Sequence, residues 1–83
     1  MTDNIIEIKV PNTGMGIAEG EVLEWKVAVG DSVAVGDILV ELETAKAVEE
    51  VLSTVNGVVV DILVPAGDSA DVGADLVLIK EQG

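Results

Sequence analysis

Eighty-three residues suffice for one small domain, and 16 acidic against 4 basic side chains leave a net charge of −12 that repels nucleic-acid phosphates and anionic membrane surfaces. There is no cysteine and no histidine, which removes thiol catalysis, zinc–thiolate sites and the usual general base near neutral pH. Redox or acyl chemistry would have to be carried by an imported group.

The apolar mass is aliphatic: thirty residues are Val, Ile or Leu, Phe and Tyr are absent, and Trp25 is the single aromatic. Such side chains favour strands. The N-terminal stretch MTDNIIEIKV lacks a signal-peptide pattern, and no apolar run approaches the ~20 residues of a membrane span. The expectation is a soluble, monomeric domain of the cytoplasm, or of the mitochondrial matrix in a eukaryote, with no nucleic-acid and no membrane partner. Its acidic field would speed encounters with proteins that present basic patches, less so at high salt.

Along the chain, short apolar segments are separated by turn chemistry: PNTGMG at 11–16, VGDSVAVGD at 29–37, VNG at 55–57 and PAGDSADVGAD at 65–75. Little room is left for a helix. Gly30 and Gly67 each precede an Asp able to bond its own backbone in a tight turn. Metal ligation is the other reading of these acids, but carboxylates on solvated turns are the commoner case, and no metal site is assigned.

A shift of 37 residues lays the chain over itself. Val22-Leu23-Glu24 falls on Val59-Val60-Asp61, Gly30-Asp31-Ser32 on Gly67-Asp68-Ser69, Val35-Gly36 on Val72-Gly73, and Leu39-Val40 on Leu76-Val77. The chain therefore reads as a single domain, residues 1–83, with an internal repeat of about 17–43 and 54–80. Strand alternation then predicts the inward faces. Leu23, Trp25 and Val27, matched with Val60, Ile62 and Val64, are predicted to face the core, whereas Val22 and Val59 are not. Val40 and Leu42, matched with Val77 and Ile79, are predicted to face in, with Glu41, Glu43, Leu78 and Lys80 facing out. Two strand-rich halves, each too small to bury its own face, should pack about a pseudo-two-fold axis as a small β-sandwich or flattened barrel.

Between the halves lies ELETAKAVEE, residues 41–50. Strand positions 38–43 lead into it and 47–52 lead out, so Thr44-Ala45-Lys46 form a tight turn with Lys46 at its crest. Only Lys9, Lys26, Lys46 and Lys80 are cationic. An ordinary surface lysine, loosely paired with Glu43 or Glu49 for at most ~1 kcal/mol, is the bland reading of Lys46.

From Ile6 to Ile79 the chain resembles the lipoyl domains of 2-oxo acid dehydrogenase complexes. The most specific piece is Glu43-Thr44-Ala45-Lys46-Ala47, similar to the family's Glu-Thr-Asp-Lys-Ala lipoylation motif. It is supported by GEVLEWKVAVGDSVAVGDILVELE before it and NGVVVDILVPAGD after it, with Gly30 and Gly57 as supporting turn glycines 16 residues before and 11 after the lysine. The motif departs at Ala45, where family members usually carry Asp. Glu43 matches the acid that helps distinguish lipoylation from biotinylation.

The resemblance implies an all-β barrel–sandwich hybrid of two four-stranded antiparallel sheets related by a pseudo-two-fold axis. It implies lipoic acid amide-linked to Lys46 and a non-catalytic carrier, part of a dihydrolipoamide acyltransferase. The implied partners are a lipoate-attaching enzyme, a thiamin-diphosphate-dependent decarboxylase, the acyltransferase catalytic domain and dihydrolipoyl dehydrogenase. In similar domains the loop between the first two strands contributes to recognition by the decarboxylase. Here that loop is residues 11–20, including Asn12, Thr13, Gly14, Met15 and Gly16. The polar ending LIKEQG reads as a domain cut at its linker.

Two other readings stay open. A biotin carboxyl carrier domain shares the architecture, although such domains typically place Met on both sides of the lysine, where this chain has Ala45 and Ala47. An unmodified lipoyl-like adaptor would ask nothing chemical of Lys46. Which 2-oxo acid is served, or whether acetoin is, does not follow from the sequence.

Overall fold

The computed structural model describes residues 4–12 and 18–82, and among them there is no helix. Eight strands follow one another: β1 (Asn4–Lys9), β2 (Glu19–Trp25), β3 (Ser32–Val33), β4 (Ile38–Glu43), β5 (Val48–Leu52), β6 (Gly57–Ile62), β7 (Ser69–Asp71) and β8 (Asp75–Glu81). They form two four-stranded sheets, ordered β1-β8-β6-β3 and β5-β4-β2-β7, with every pairing antiparallel. The two sheets do not close on each other, so the sandwich is observed and the barrel is not. Two of the four edge strands, β3 and β7, are only two and three residues long, which leaves little free backbone for unwanted pairing.

Equivalent positions of the two halves pair in the same register. Glu21 lies opposite Ser69 in one sheet, and its equivalent Val58 lies opposite Ser32 in the other. Gly67 N donates to Val22 O and Gly30 N donates to Val59 O, both at 2.8 Å. The halves therefore exchange strands. β3 of the first half completes the sheet of β6 and β8, and β7 of the second completes that of β2 and β4.

Val22, Leu39, Val40, Leu42, Val59, Leu76, Val77 and Ile79 are fully buried between the sheets. The expectation for Val40, Leu42, Val77 and Ile79 is met, whereas that for the start of each repeat needs correction. Val22 and Val59 are 0% and 1% exposed, while Leu23 and Val60 each stand 38% exposed. The cause is a β-bulge. Register slips between Val22 and Glu24 and again between Val59 and Asp61, so one residue is skipped and the inward phase changes there. Beyond the bulge Trp25, Val27, Ile62 and Val64 pack against the core as predicted. Trp25 donates its indole N–H to Val64 O at 2.9 Å, tying the end of β2 to the segment after β6.

Gly30 has φ of +96° in the turn from β2 to β3, where a Cβ would be strained although nothing lies within 4 Å of it. Asp31 closes that turn, its Oδ2 accepting from Ala28 N at 2.9 Å, and Asp37 accepts from Ala34 N in the same way. Gly57 does not serve as a turn glycine. It opens β6, and a Cβ there would sit 2.2 Å from the Lys80 carbonyl oxygen, so it is needed for close approach of β8.

Gly57→Ala is expected to destabilise by about 3 kcal/mol, at the upper end of overpacking costs, because the obstacle is backbone. Gly30→Ala should cost about 1 kcal/mol from conformational strain alone; urea unfolding of both variants checks the order. A second expectation concerns Lys9 and Asp75, which form an ion pair between β1 and β8. The hydrogen bond from Lys9 is the main reason the Asp75 carboxyl is held below its ordinary value, and the bond to Asp75 is likewise the main reason the Lys9 ammonium is raised above its own. The contribution of the pair is thus present above the unfolded-state Asp pKa and is lost as pH falls through the lower folded value. At the other end it is lost as pH rises through the raised Lys9 value. The stability difference between wild type and Asp75→Asn should be steady near neutrality and shrink below about pH 4 and above about pH 10.4, as read by denaturant unfolding across pH.

Candidate functional site

The segment joining the halves is a hairpin whose last strand pair is Glu43 opposite Val48. Thr44, Ala45, Lys46 and Ala47 make its turn, closed by Thr44 N donating to Ala47 O at 2.9 Å. A two-residue hairpin loop normally demands positive φ at its centre, which favours Gly or Asn. No described non-glycine residue has positive φ, so this turn is built another way. The Thr44 hydroxyl accepts from Lys46 N at 3.3 Å and Ala47 N at 3.2 Å, and it donates to Ala47 O at 2.8 Å. The side chain thus stands in for the carbonyl that the open turn leaves out of reach.

Lys46 is exposed at the crest, and its Nζ has no ion-pair partner among the described residues. The loose pairing with Glu43 or Glu49 that an ordinary surface lysine would make is not formed. By contrast Lys26 bridges Glu24 at 2.9 Å and Glu41 at 3.6 Å. Ala45 and Ala47, also exposed, flank the amine without crowding it. Among the residues singled out in the sequence, Glu43, Thr44, Ala45, Lys46 and Ala47 come together here. Gly30 lies in the turn after β2, Gly57 in β6, and Asn12 is exposed after β1. Thr13, Gly14, Met15 and Gly16 lie outside the described residues.

Sequence reasoning missed the neighbours contributed by β2, the residue before it, and β7. Ala18, Glu19, Gly20, Glu21 and Ser69 join residues 43–46 around an open groove of ≈ 450 Å³. Gly20 lies under Thr44, since a Cβ built on it would stand 3.6 Å from the Thr44 methyl. Pairing of β2 with β4 on one side and with β7 on the other brings these residues to the turn, and no local motif announces it.

The sheet behind the lysine is electrostatically one-sided. Glu21 faces Glu43, Glu24 faces Glu41, and Glu41 faces Glu50 across the strands, an arrangement that works against stability. At the equivalent places in the other sheet Val58 faces Lys80 and Asp61 faces Leu78. The lysine therefore rises from the acidic sheet.

The family model Biotin_lipoyl, described as "Biotin-requiring enzyme", matches residues 6–79. Over 75 residues, 90% of the chain, it is 43% identical to the dihydrolipoyllysine-residue succinyltransferase component of the 2-oxoglutarate dehydrogenase complex of Staphylococcus saprophyticus. Over 73 residues, 88% of the chain, it is 40% identical to the dihydrolipoyllysine-residue acetyltransferase component of the pyruvate dehydrogenase complex of Staphylococcus epidermidis. The matched stretch is 18% and 17% of those two proteins. The solution structure of the lipoyl domain of the 2-oxoglutarate dehydrogenase complex from Azotobacter vinelandii superposes with a TM-score of 0.76 at 36% identity, covering 94% of this chain and 99% of that one.

Proposed function

The chain belongs to the biotin/lipoyl attachment family, and from that membership we propose that it is a lipoyl carrier, with lipoic acid held in amide linkage by the Nζ of Lys46. The observation that carries the proposal is an exposed amine without an ion-pair partner among the described residues, set on a hydrogen-bonded two-residue crest between two symmetric halves. A primary amine so placed fits a covalent arm. It can enter an attaching enzyme's site without disturbing the core, and the chain supplies no catalytic thiol or imidazole of its own.

When bound, the lipoyl group supplies a dithiolane that carries an acyl group and two electrons. What the protein contributes is presentation. The amide takes up the lysine charge, so the domain moves from the −12 of the bare chain to one unit more negative. The hydrogen-bonded turn fixes the root of the arm while its methylenes sweep, and tethering converts collisions into encounters at high local concentration. The partners in this reading are the lipoate-attaching enzyme, a thiamin-diphosphate-dependent decarboxylase, an acyltransferase domain and dihydrolipoyl dehydrogenase of a 2-oxo acid dehydrogenase complex. Relatives named for succinyl and for acetyl transfer match at similar identity, which agrees with a crest whose task does not depend on the acyl group.

Expression with lipoate available should give an intact mass raised by one lipoyl group, and Lys46→Arg should abolish the increment while leaving the unfolding midpoint within a few degrees. An unmodified wild-type chain in the presence of a competent ligase would refute the carrier reading. A biotin-sized increment would select the biotin carboxyl carrier reading instead.

A further inference from the structure

Resting on the carrier reading, we propose that Thr44 is the positioning residue for attachment: its hydroxyl holds the turn in the one shape that delivers the Lys46 amine to the attaching enzyme. Three hydrogen bonds meet at that oxygen, two accepted from Lys46 N and Ala47 N and one donated to Ala47 O. At residues 44–47 it is this hydroxyl that ties side chain to backbone. Ala45 can make no polar contact from its side chain, so the turn has no second polar tie at that position.

The repeat provides an internal control. Shifted by 37 residues, Leu42-Glu43-Thr44 falls on Ile79-Lys80-Glu81, which continue as strand β8. The position equivalent to Thr44 is thus a strand residue, Glu81, so the symmetry of the fold does not itself call for a hydroxyl here, and the threonine stands where the chain turns beneath a lysine. The two functional parts of this side chain are also spatially separate. Its methyl lies over Gly20, whereas its hydroxyl faces the turn.

Removing the hydroxyl leaves Lys46 N and Ala47 N to water and frees the crest to sample other turns. The amine stays exposed, but its position relative to the activated lipoyl carbonyl in the enzyme is no longer fixed, and displacements of about 1 Å cost rate disproportionately. Docking of the unchanged sheet surface is not affected. The loss should accordingly fall on kcat and not on KM.

The test compares wild type, Thr44→Val, which keeps the methyl, and Thr44→Ser, which keeps the hydroxyl, as substrates of a purified lipoate-attaching enzyme. Thr44→Val is expected to lower kcat about tenfold with KM within about twofold, and Thr44→Ser to recover most of the rate. Acetylation of Lys46 by a small amine-reactive ester, followed by peptide mass mapping, should proceed equally in all three, because exposure is unchanged. Hydrogen exchange of the Lys46 and Ala47 amides should accelerate in Thr44→Val alone, with all unfolding midpoints within a few degrees. A Thr44→Val domain modified at the wild-type kcat, a loss confined to KM, or failure of Thr44→Ser to recover would overturn the proposal while leaving Lys46 as the attachment site. A wild-type chain left unmodified would overturn both.

Discussion

Neither half of the chain can bury its own apolar face, and this one constraint organises the rest. Each half supplies two long strands and lends one short strand to the other's sheet, so β2 is completed by β7 and β6 by β3. The exchange makes the core common property: Val22, Leu39, Val40 and Leu42 from one half interdigitate with Val59, Leu76, Val77 and Ile79 from the other. Cooperativity follows, since loosening either half exposes the apolar face of both.

The junction between the halves is freed from packing duties by the same arrangement. Residues 44–47 contribute nothing to the buried core, and the hairpin that carries them is anchored at its base by β4, which is central in its sheet and pairs on both sides. A crest built in this way is rigid at its root and open at its tip. Rigidity comes from strand pairing below and from the Thr44 hydroxyl above. Openness comes from having only alanines beside the lysine.

Symmetry in the backbone does not extend to the surface. The sheet beneath Lys46 sets glutamates against glutamates, whereas its pseudo-equivalent sets valine against lysine and leucine against aspartate. Folding alone would favour the second pattern, because opposed like charges cost free energy. Lys26, bonded to Glu24 and Glu41, offsets part of that cost at the middle of the sheet, away from the crest. The opposed carboxylates thus lie in the sheet from which Lys46 rises, and their mutual repulsion is weakened by salt.

Much of this was legible in the residues themselves. Self-similarity at a shift of 37 announced two halves, glycine–aspartate pairs announced their turns, and a lone lysine among small residues marked the crest, because each of these signals is local. The inward phase at Leu23 and Val60 was misread because a bulge skips one residue without leaving any mark in an aliphatic run. Gly57 looked like a turn glycine until its neighbour proved to be a carbonyl of β8, 23 residues further along the chain. The exchange of β3 and β7, the open edges where a barrel might have closed, and the placing of Gly20 beneath Thr44 were likewise settled only in three dimensions. Which strands lie side by side is decided by burial shared between segments distant in the chain, and strand propensity carries no information about the partner. The sequence by itself determined where the chain turns and which amine is set apart; the tertiary structure decided what stands beside that amine.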